Sequence, residues 1–206
     1  LNIFAQELGS YIGPTLSQLN YLSNKKELKL CIGPDSMPFE DFGENGEYIG
    51  LTSDYYKIFS KNLNIPINVV PVKTWKESID LAKDRTCDII SAMQTEERKQ
   101  YLNFTSPYLK TPVVIATNND KPFISDFKDL TNEKIGVPKS YAYVEELKRI
   151  YPNINYVEVP TIKDGLKKVI DGELYGQVGT LACIGYFFIT DFAGSLKIAG
   201  KTDKVN

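Results

Sequence analysis

From Lys26 onward the apolar positions switch repeatedly between short continuous runs and helical spacing. Residues 28–32 are apolar except for Lys29 and are closed by Gly33-Pro34-Asp35, which predicts a buried strand and a turn. Glu44-Asn45-Gly46-Glu47 predicts a hairpin. Thr52-Ser53 are expected to cap a helix carrying Tyr55, Ile58, Phe59 and Leu63, and residues 67–72 predict the next strand. Thr74-Trp75-Lys76-Glu77 is a capping box, in which a hydroxyl and a carboxylate satisfy orphan amides. Its helix should run to about Lys83, ahead of a strand over 87–92. Beyond Pro107 the pattern repeats. Strands are predicted at 113–117 and 135–137, then a helix capped by Ser140 with Tyr143, Leu147 and Ile150 aligned, then a strand at 155–159. Thr161 opens a helix with Leu166, Val169 and Ile170, closed by Gly172; a strand at 175–178, an apolar helix at 181–189 and a strand at 196–199 follow. Strands alternating with helices predict parallel sheets flanked by helices. Ligands of such sheets bind beyond the carboxyl ends of the strands, often at helix N-termini.

Residues 1–25 differ: Glu7 and Lys25 are their only charges, and Gly13-Pro14 interrupts them. Residues 15–22 predict a short helix with Leu16, Leu19 and Leu22 on one side, a lead-in or linker. The start carries neither Met nor the basic region of a signal peptide, so a processed or excised piece of a longer chain is expected.

Composition narrows the chemistry. The 206 residues are 42% hydrophobic and 24% charged, enough to bury a core in one domain or two small lobes. Twenty-four Lys and Arg against 26 Asp and Glu leave a formal charge of −2, with no basic run for nucleic acid. The apolar stretch 181–189 is shorter than the roughly 20 residues a bilayer requires. Histidine is absent, which removes the commonest general base and metal ligand. Cys31, Cys87 and Cys183 lie far apart, without metal or redox spacing. They are expected as small core hydrophobes with no disulfide. No cofactor is implied.

Thr95-Glu96-Glu97-Arg98, followed by Phe104-Thr105-Ser106-Pro107-Tyr108, concentrates the candidate chemistry. It sets an arginine after an apolar strand and beside a Pro-broken crossing, and arginine holds carboxylates through a planar two-pronged set of donors. With Pro38-Phe39-Glu40, residues 50–54, 87–90, 135–140 and 171–176 in this order and spacing, the chain resembles the amino-acid-binding branch of periplasmic solute-binding proteins over about residues 26–202. The flavour is that of Venus-flytrap sensor modules of bacterial membrane receptors. The resemblance implies a two-lobed α/β clamshell, each lobe a mainly parallel sheet flanked by helices. Lobe one would span 26–109 and lobe two 110–200, with a hinge near 109–113. Residues 201–206 would begin a return crossing, so lobe one is expected to lack its last strand and helix.

The same resemblance implies a ligand-binding set. Arg98 falls at the carboxylate clamp, and Trp75 where a ring meets the ligand. Ser91, Ala92 and Met93 fall at the end of a cleft strand. Ser140, Tyr141 and Ala142 fall at a helix N-terminus with free amides, while Ser36, Gly179 and Thr180 complete the walls. The departures matter as well. Gly33 stands where an acid is expected, Ser36 where an aromatic is usual, Met93 where a hydroxyl is common, and Gly179 where an acid would receive a ligand ammonium. A missing charge-assisted bond costs about 1.5–3 kcal/mol, roughly one to two decades of affinity. A small carboxylate without the amine, a differently held amine or a degenerate pocket is therefore expected. The implied role is a non-enzymatic, extracytoplasmic, periplasmic sensor that closes on a small polar solute and is tethered to a membrane protein or permease, with a dimer allowed. Its alternatives are the binding component of an ABC amino-acid transporter and a dehydratase-type enzyme, which would need a cleft acid or base of shifted pKa.

Overall fold

The computed structural model describes residues 14–205; the earlier part of the expected lead-in lies outside them. The lead-in helix α1 (Leu16–Lys25) begins at Thr15, which completes a capping box with Gln18. None of its residues is buried. Its end is tied down by Lys25, whose ammonium lies 2.7 Å from the Asp88 carboxylate.

The first sheet unit starts with β1 (Leu28–Cys31). A hairpin, β2 (Asp41–Phe42) and β3 (Tyr48–Ile49), turns at Gly46, whose φ of +79° suits glycine. Then come α2 (Leu51–Leu63), β4 (Ile67–Val69), α3 (Trp75–Lys83) and β5 (Ile89–Ile90). The order β4-β1-β5 is wholly parallel, as the alternation predicts. The α2 cap differs from the expectation. Gly50 takes the position with φ +101°, where a Cβ would lie 2.4 Å from the Phe39 carbonyl oxygen, and Thr52 and Ser53 turn inward as buried residues. Thr74 does cap α3, accepting from the Glu77 amide, while the Glu77 carboxylate accepts from Lys73 rather than Thr74. One expectation fails outright: Cys31 and Cys87 form a disulfide, with Cα atoms 5.7 Å apart. Neighbouring parallel strands β1 and β5 bring residues 56 positions apart side by side. Cys183 stays free and buried.

The second unit contains β6 (Pro112–Asn118), β7 (Lys134–Pro138), α4 (Ala142–Ile150), β8 (Asn155–Val159), α5 (Ile162–Ile170), β9 (Gly176–Thr180), α6 (Leu181–Thr190) and β10 (Leu196–Val205). Its order is β10-β6-β9-β7-β8. Strand β7 runs parallel to β8 and β9, whereas β6 is antiparallel to β9 and β10, so this sheet is mixed. The last strand, expected to stop at 199, continues to Val205. Thr202 is buried there and donates to the Val113 carbonyl, and Val205 pairs with Pro112.

The two faces of this sheet carry separate cores. One gathers Ile115, Ile135, Val137, Tyr143, Leu147 and Val178 around α4; the other gathers Ile162, Leu166, Val169, Ile184 and Phe187 under α5 and α6. A third, smaller core lies in the first unit around Leu30, Ile32, Tyr56 and Val72. In the second unit Gln177 is fully buried and its amide fills the space beside Gly136 and Gly165. A Cβ at Gly165 would lie 1.8 Å from its Oε1, so glycine is required there by close approach.

Candidate functional site

Arg98 opens a single 3-10 turn, Arg98–Gln100. Thr95 Oγ1 accepts from the Arg98 amide at 3.1 Å and fixes the turn. The guanidinium points inward: the residue is 7% exposed, Nη1 donates to the Met93 carbonyl at 2.9 Å, and the group lies 5.3 Å from the Trp75 ring centre. Burial pushes its pKa down, against the Tyr101 phenol, which also takes part in a side-chain hydrogen bond with it, and the Glu97 carboxylate, both of which push it up. Among the described residues no carboxylate lies within salt-bridge distance of it. A guanidinium has five N–H donors, so beyond Met93 and Tyr101 part of its donor fork is left for another partner.

Around Arg98 the two units touch. Trp75, set at the head of α3 by the Thr74 cap, donates from Nε1 to the Ser140 carbonyl at 3.2 Å. Ser36 Oγ and the Tyr141 hydroxyl share a hydrogen bond of 3.0 Å. Cys183 Sγ donates to the Ser36 carbonyl at 3.8 Å. Met93 packs against the α4 core and Phe39 against the α5–α6 core. Burial pushes the Tyr141 phenol up to about 12 and the Cys183 thiol to about 11. Ser36, Trp75, Met93, Arg98, Ser140 and Tyr141 are thus brought to one junction between the sheets.

Other expected positions take different roles. Ser91 sits between the Tyr56 and Tyr108 hydroxyls, at 3.1 and 2.9 Å. Ser140 does not cap α4. It holds φ +66°, and the cap falls to Tyr141, which makes no side-chain cap bond, so Ala142 starts the helix. Thr180 caps α6, accepting from the Cys183 amide at 3.4 Å, and so supports the helix end that meets Ser36. Gly179 faces the core. A Cβ there would lie 3.1 Å from both Ile162 and Ile184, so an acid at 179 would enter the apolar layer rather than the cleft. The lack of an acid at Gly179 therefore says nothing about a ligand ammonium.

One functional candidate escaped the sequence reading. Glu40 is 5% exposed, its Oε1 accepting from the Gly33 amide at 2.7 Å and its Oε2 from the Tyr48 hydroxyl at 2.9 Å. Burial dominates and raises its carboxyl to about 7, although both hydrogen bonds pull it down. The signal was in the hairpin register. Phe42 pairs with Tyr48, and alternation puts Glu40 on the same face, an acid among aromatics. Beside the junction, a groove of about 520 Å³ runs between Asp35, Met37 and Asp41 on one side and Asp164, Tyr186 and Asp191 on the other. Among the described residues no group of acidic, Cys or His side chains is arranged to hold a metal ion.

Two α/β lobes whose polar residues meet over a buried arginine define a clamshell of the solute-binding type. The chain belongs to the bacterial extracellular solute-binding proteins, family 3, whose model matches residues 28–179. That membership places the domain on the extracytoplasmic side, and no helix among the described residues is long and apolar enough to cross a membrane. The virulence sensor protein BvgS of Bordetella pertussis (strain Tohama I) is 23% identical over 167 residues, which are 81% of this chain and 14% of that protein. The ABC transporter arginine-binding protein 1 of Escherichia coli (strain K12) is 24% identical over 156 residues, 75% of this chain and 63% of that one. In fold, the chain is similar to the crystal structure of the B. pertussis BvgS periplasmic VFT2 domain, with a TM-score of 0.83 at 21% identity, covering 93% of this chain and 82% of that one. The chain thus spans about one seventh of the length of the sensor relative.

Proposed function

We propose that this domain is the ligand-binding module of an extracytoplasmic sensor, which closes its lobes on a small polar solute bearing a carboxylate. The observation that carries this reading is Arg98. A guanidinium buried without a carboxylate partner is costly, and a ligand carboxylate would take a bidentate pair from its fork. Lobe one would span residues 26–109 and lobe two 110–200, with β6 and β10 crossing at the hinge near 109–113. Because Trp75 and Ser36 lie on one lobe and Ser140 and Tyr141 on the other, a ligand touching both would bias the open–closed equilibrium by its differential affinity. A membrane-linked output, as in the sensor relatives, would receive that closure. A transporter component is the second reading, supported by the arginine-binding relative, which is matched over most of its own length.

Chemistry on a substrate is not part of the proposal. Glu40 has the shifted pKa an enzyme would want, but both its oxygens already accept from the chain's own donors. A thermal-shift screen of amino acids, amines and small carboxylates tests the reading. A ligand at 100-fold its Kd should stabilise the fold by about 2.7 kcal/mol. Closure should lower the radius of gyration of the domain in solution scattering. A screen in which amines stabilise and no carboxylate does would contradict the proposal.

A further inference from the structure

We infer that closure of the two units on each other is proton-linked: the junction shuts over Glu40 in its neutral form, so acid favours the closed arrangement and ionisation of this one carboxyl loosens it. This rests on the lobe-closing reading and adds its regulation, whichever solute is bound.

Residues 36–40 are the part of the first unit that the second unit grips. Ser36 meets both the Tyr141 hydroxyl and the Cys183 thiol, and Phe39 packs against the α5–α6 core. Glu40 is fastened to the same segment, its carbonyl accepting from the Ser36 amide at 3.2 Å in an isolated bridge. Its side chain lies beside Gly33, where a built Cβ would stand 3.3 Å from Glu40 Oε1, 3.2 Å from Trp75 Cε3 and 3.5 Å from Ser36 Oγ. Trp75 in turn donates its indole N–H to Ser140 of the second unit. The carboxyl thus sits directly behind the residues that make the crossing contacts, and it is 5% exposed while they are made.

Nothing around Glu40 offsets a negative charge. Among the described residues no Lys or Arg lies within salt-bridge distance. The groups that face it are the Asp41 carboxylate on β2, the phenols of Tyr48 on β3, Tyr56 on α2 and Tyr108 in the crossing, and the Tyr141 phenol from the second unit. Its two hydrogen bonds, from the Gly33 amide and the Tyr48 hydroxyl, both come from the first unit. Parting the units therefore admits water to the carboxyl without removing those bonds, and lowers its pKa from about 7 toward the ordinary 4.5. Asp35 leans the same way. It is pushed up by burial, by Asp41 and by Asp164 across the groove, against Lys163, which is itself paired with Asp191. A group whose pKa is higher in the closed arrangement holds its proton more tightly there. Each unit of difference makes the closed-to-open ratio about tenfold larger in acid than in base.

The chain's single tryptophan reads the junction. Hydrogen exchange of the Trp75 indole N–H is followed by NMR from pH 5 to pH 8 on the protein without added solute. Divided into the rate of free N-acetyltryptophanamide at each pH, it gives the protection conferred by the bond to Ser140. Native protection should fall about tenfold or more from pH 5 to pH 8. Glu40→Gln keeps the shape and cannot ionise, so it should hold the acid value throughout. Asp35→Asn should keep most of the native fall, which assigns the fall to Glu40 rather than to the acids along the groove. Tyr141→Phe removes the hydroxyl pair with Ser36 and should lower protection at every pH, which ties exchange to separation of the units rather than to loosening of α3. Native protection that stays flat overturns the inference. So does a Glu40→Gln protein that keeps the fall, an Asp35→Asn protein that loses it, or a Tyr141→Phe protein that exchanges like the native one. None of these outcomes touches the carboxylate reading of Arg98, which the ligand screen tests separately.

Discussion

Replacing Glu40 by Gln should change how stability depends on pH, by an amount the structure sets. The carboxyl is held near 7 in the fold against an ordinary 4.5, chiefly because it is buried. A difference of 2.5 in pKa, at about 1.36 kcal/mol for each unit, corresponds to an effect on the order of 3 kcal/mol. The sign follows from proton counts. Between the two values the folded state keeps a proton that the unfolded state has released. The neutral carboxyl's favourable contribution is thus complete below pH 4.5 and is lost as pH rises through about 7. Gln has nearly the same shape and cannot ionise. The stability of Glu40→Gln minus that of the native protein should therefore rise by about 3 kcal/mol from pH 4.5 to pH 8, steepest near pH 6. Depressed carboxyls elsewhere, such as Asp88 beside Lys25 and Asp191 beside Lys163, are common to both proteins and cancel in the difference. Urea unfolding followed by Trp75 fluorescence at four pH values measures it. A difference that stays flat, or that falls as pH rises, would refute the assignment of a buried, uncompensated carboxyl.

Two further predictions concern the scaffold. The Cys31–Cys87 bridge closes a loop of 56 residues, so the double Ala variant should lose about 2–5 kcal/mol, read as a lower urea midpoint. Reductant should lower the native midpoint in the same way, and unchanged midpoints in both cases would mean the bridge does not restrain the fold. Gly165→Ala forces a methyl into the Gln177 amide and should cost about 1–3 kcal/mol. Adding Gln177→Ala should recover part of that loss in a double-mutant cycle, and simple additivity would show that the two do not compete for the slot.

Much of the fold was legible because local chemistry and tertiary packing agree in it. Thr74 and Thr161 cap where their spacing says they should, and β8 runs over the residues its apolar pattern marks. The failures share a cause: tertiary contacts override a local signal. Thr52 and Ser53 are good caps in isolation, but only Gly50 can pass the Phe39 carbonyl. Ser140 is drawn into a left-handed conformation with its carbonyl turned to Trp75. The Cys31–Cys87 pairing depends on strand order, which spacing alone does not reveal. Of the candidate site, motif order marks Arg98, Trp75 and Tyr141, and the structure places them at one junction between the sheets. Gly179 was misread because its facing depends on β9 register: Gln177 and Gly179 point to α5 while Val178 points to α4. In the sequence Glu40 stands out only within the Pro38-Phe39-Glu40 piece of the family resemblance, and its burial among phenols is visible only in the structure.

The central claim is that Arg98 holds the ligand through its carboxylate. Calorimetric titration of the best carboxylate hit and its neutral carboxamide, on native protein and on Arg98→Ala, measures that contact as a cycle between ligand and side chain. The native protein should prefer the acid by one to two decades, the worth of a charge-assisted pair of about 1.5–3 kcal/mol. In Arg98→Ala the acid and the amide should bind alike. An acid preference that survives undiminished in Arg98→Ala would contradict the account.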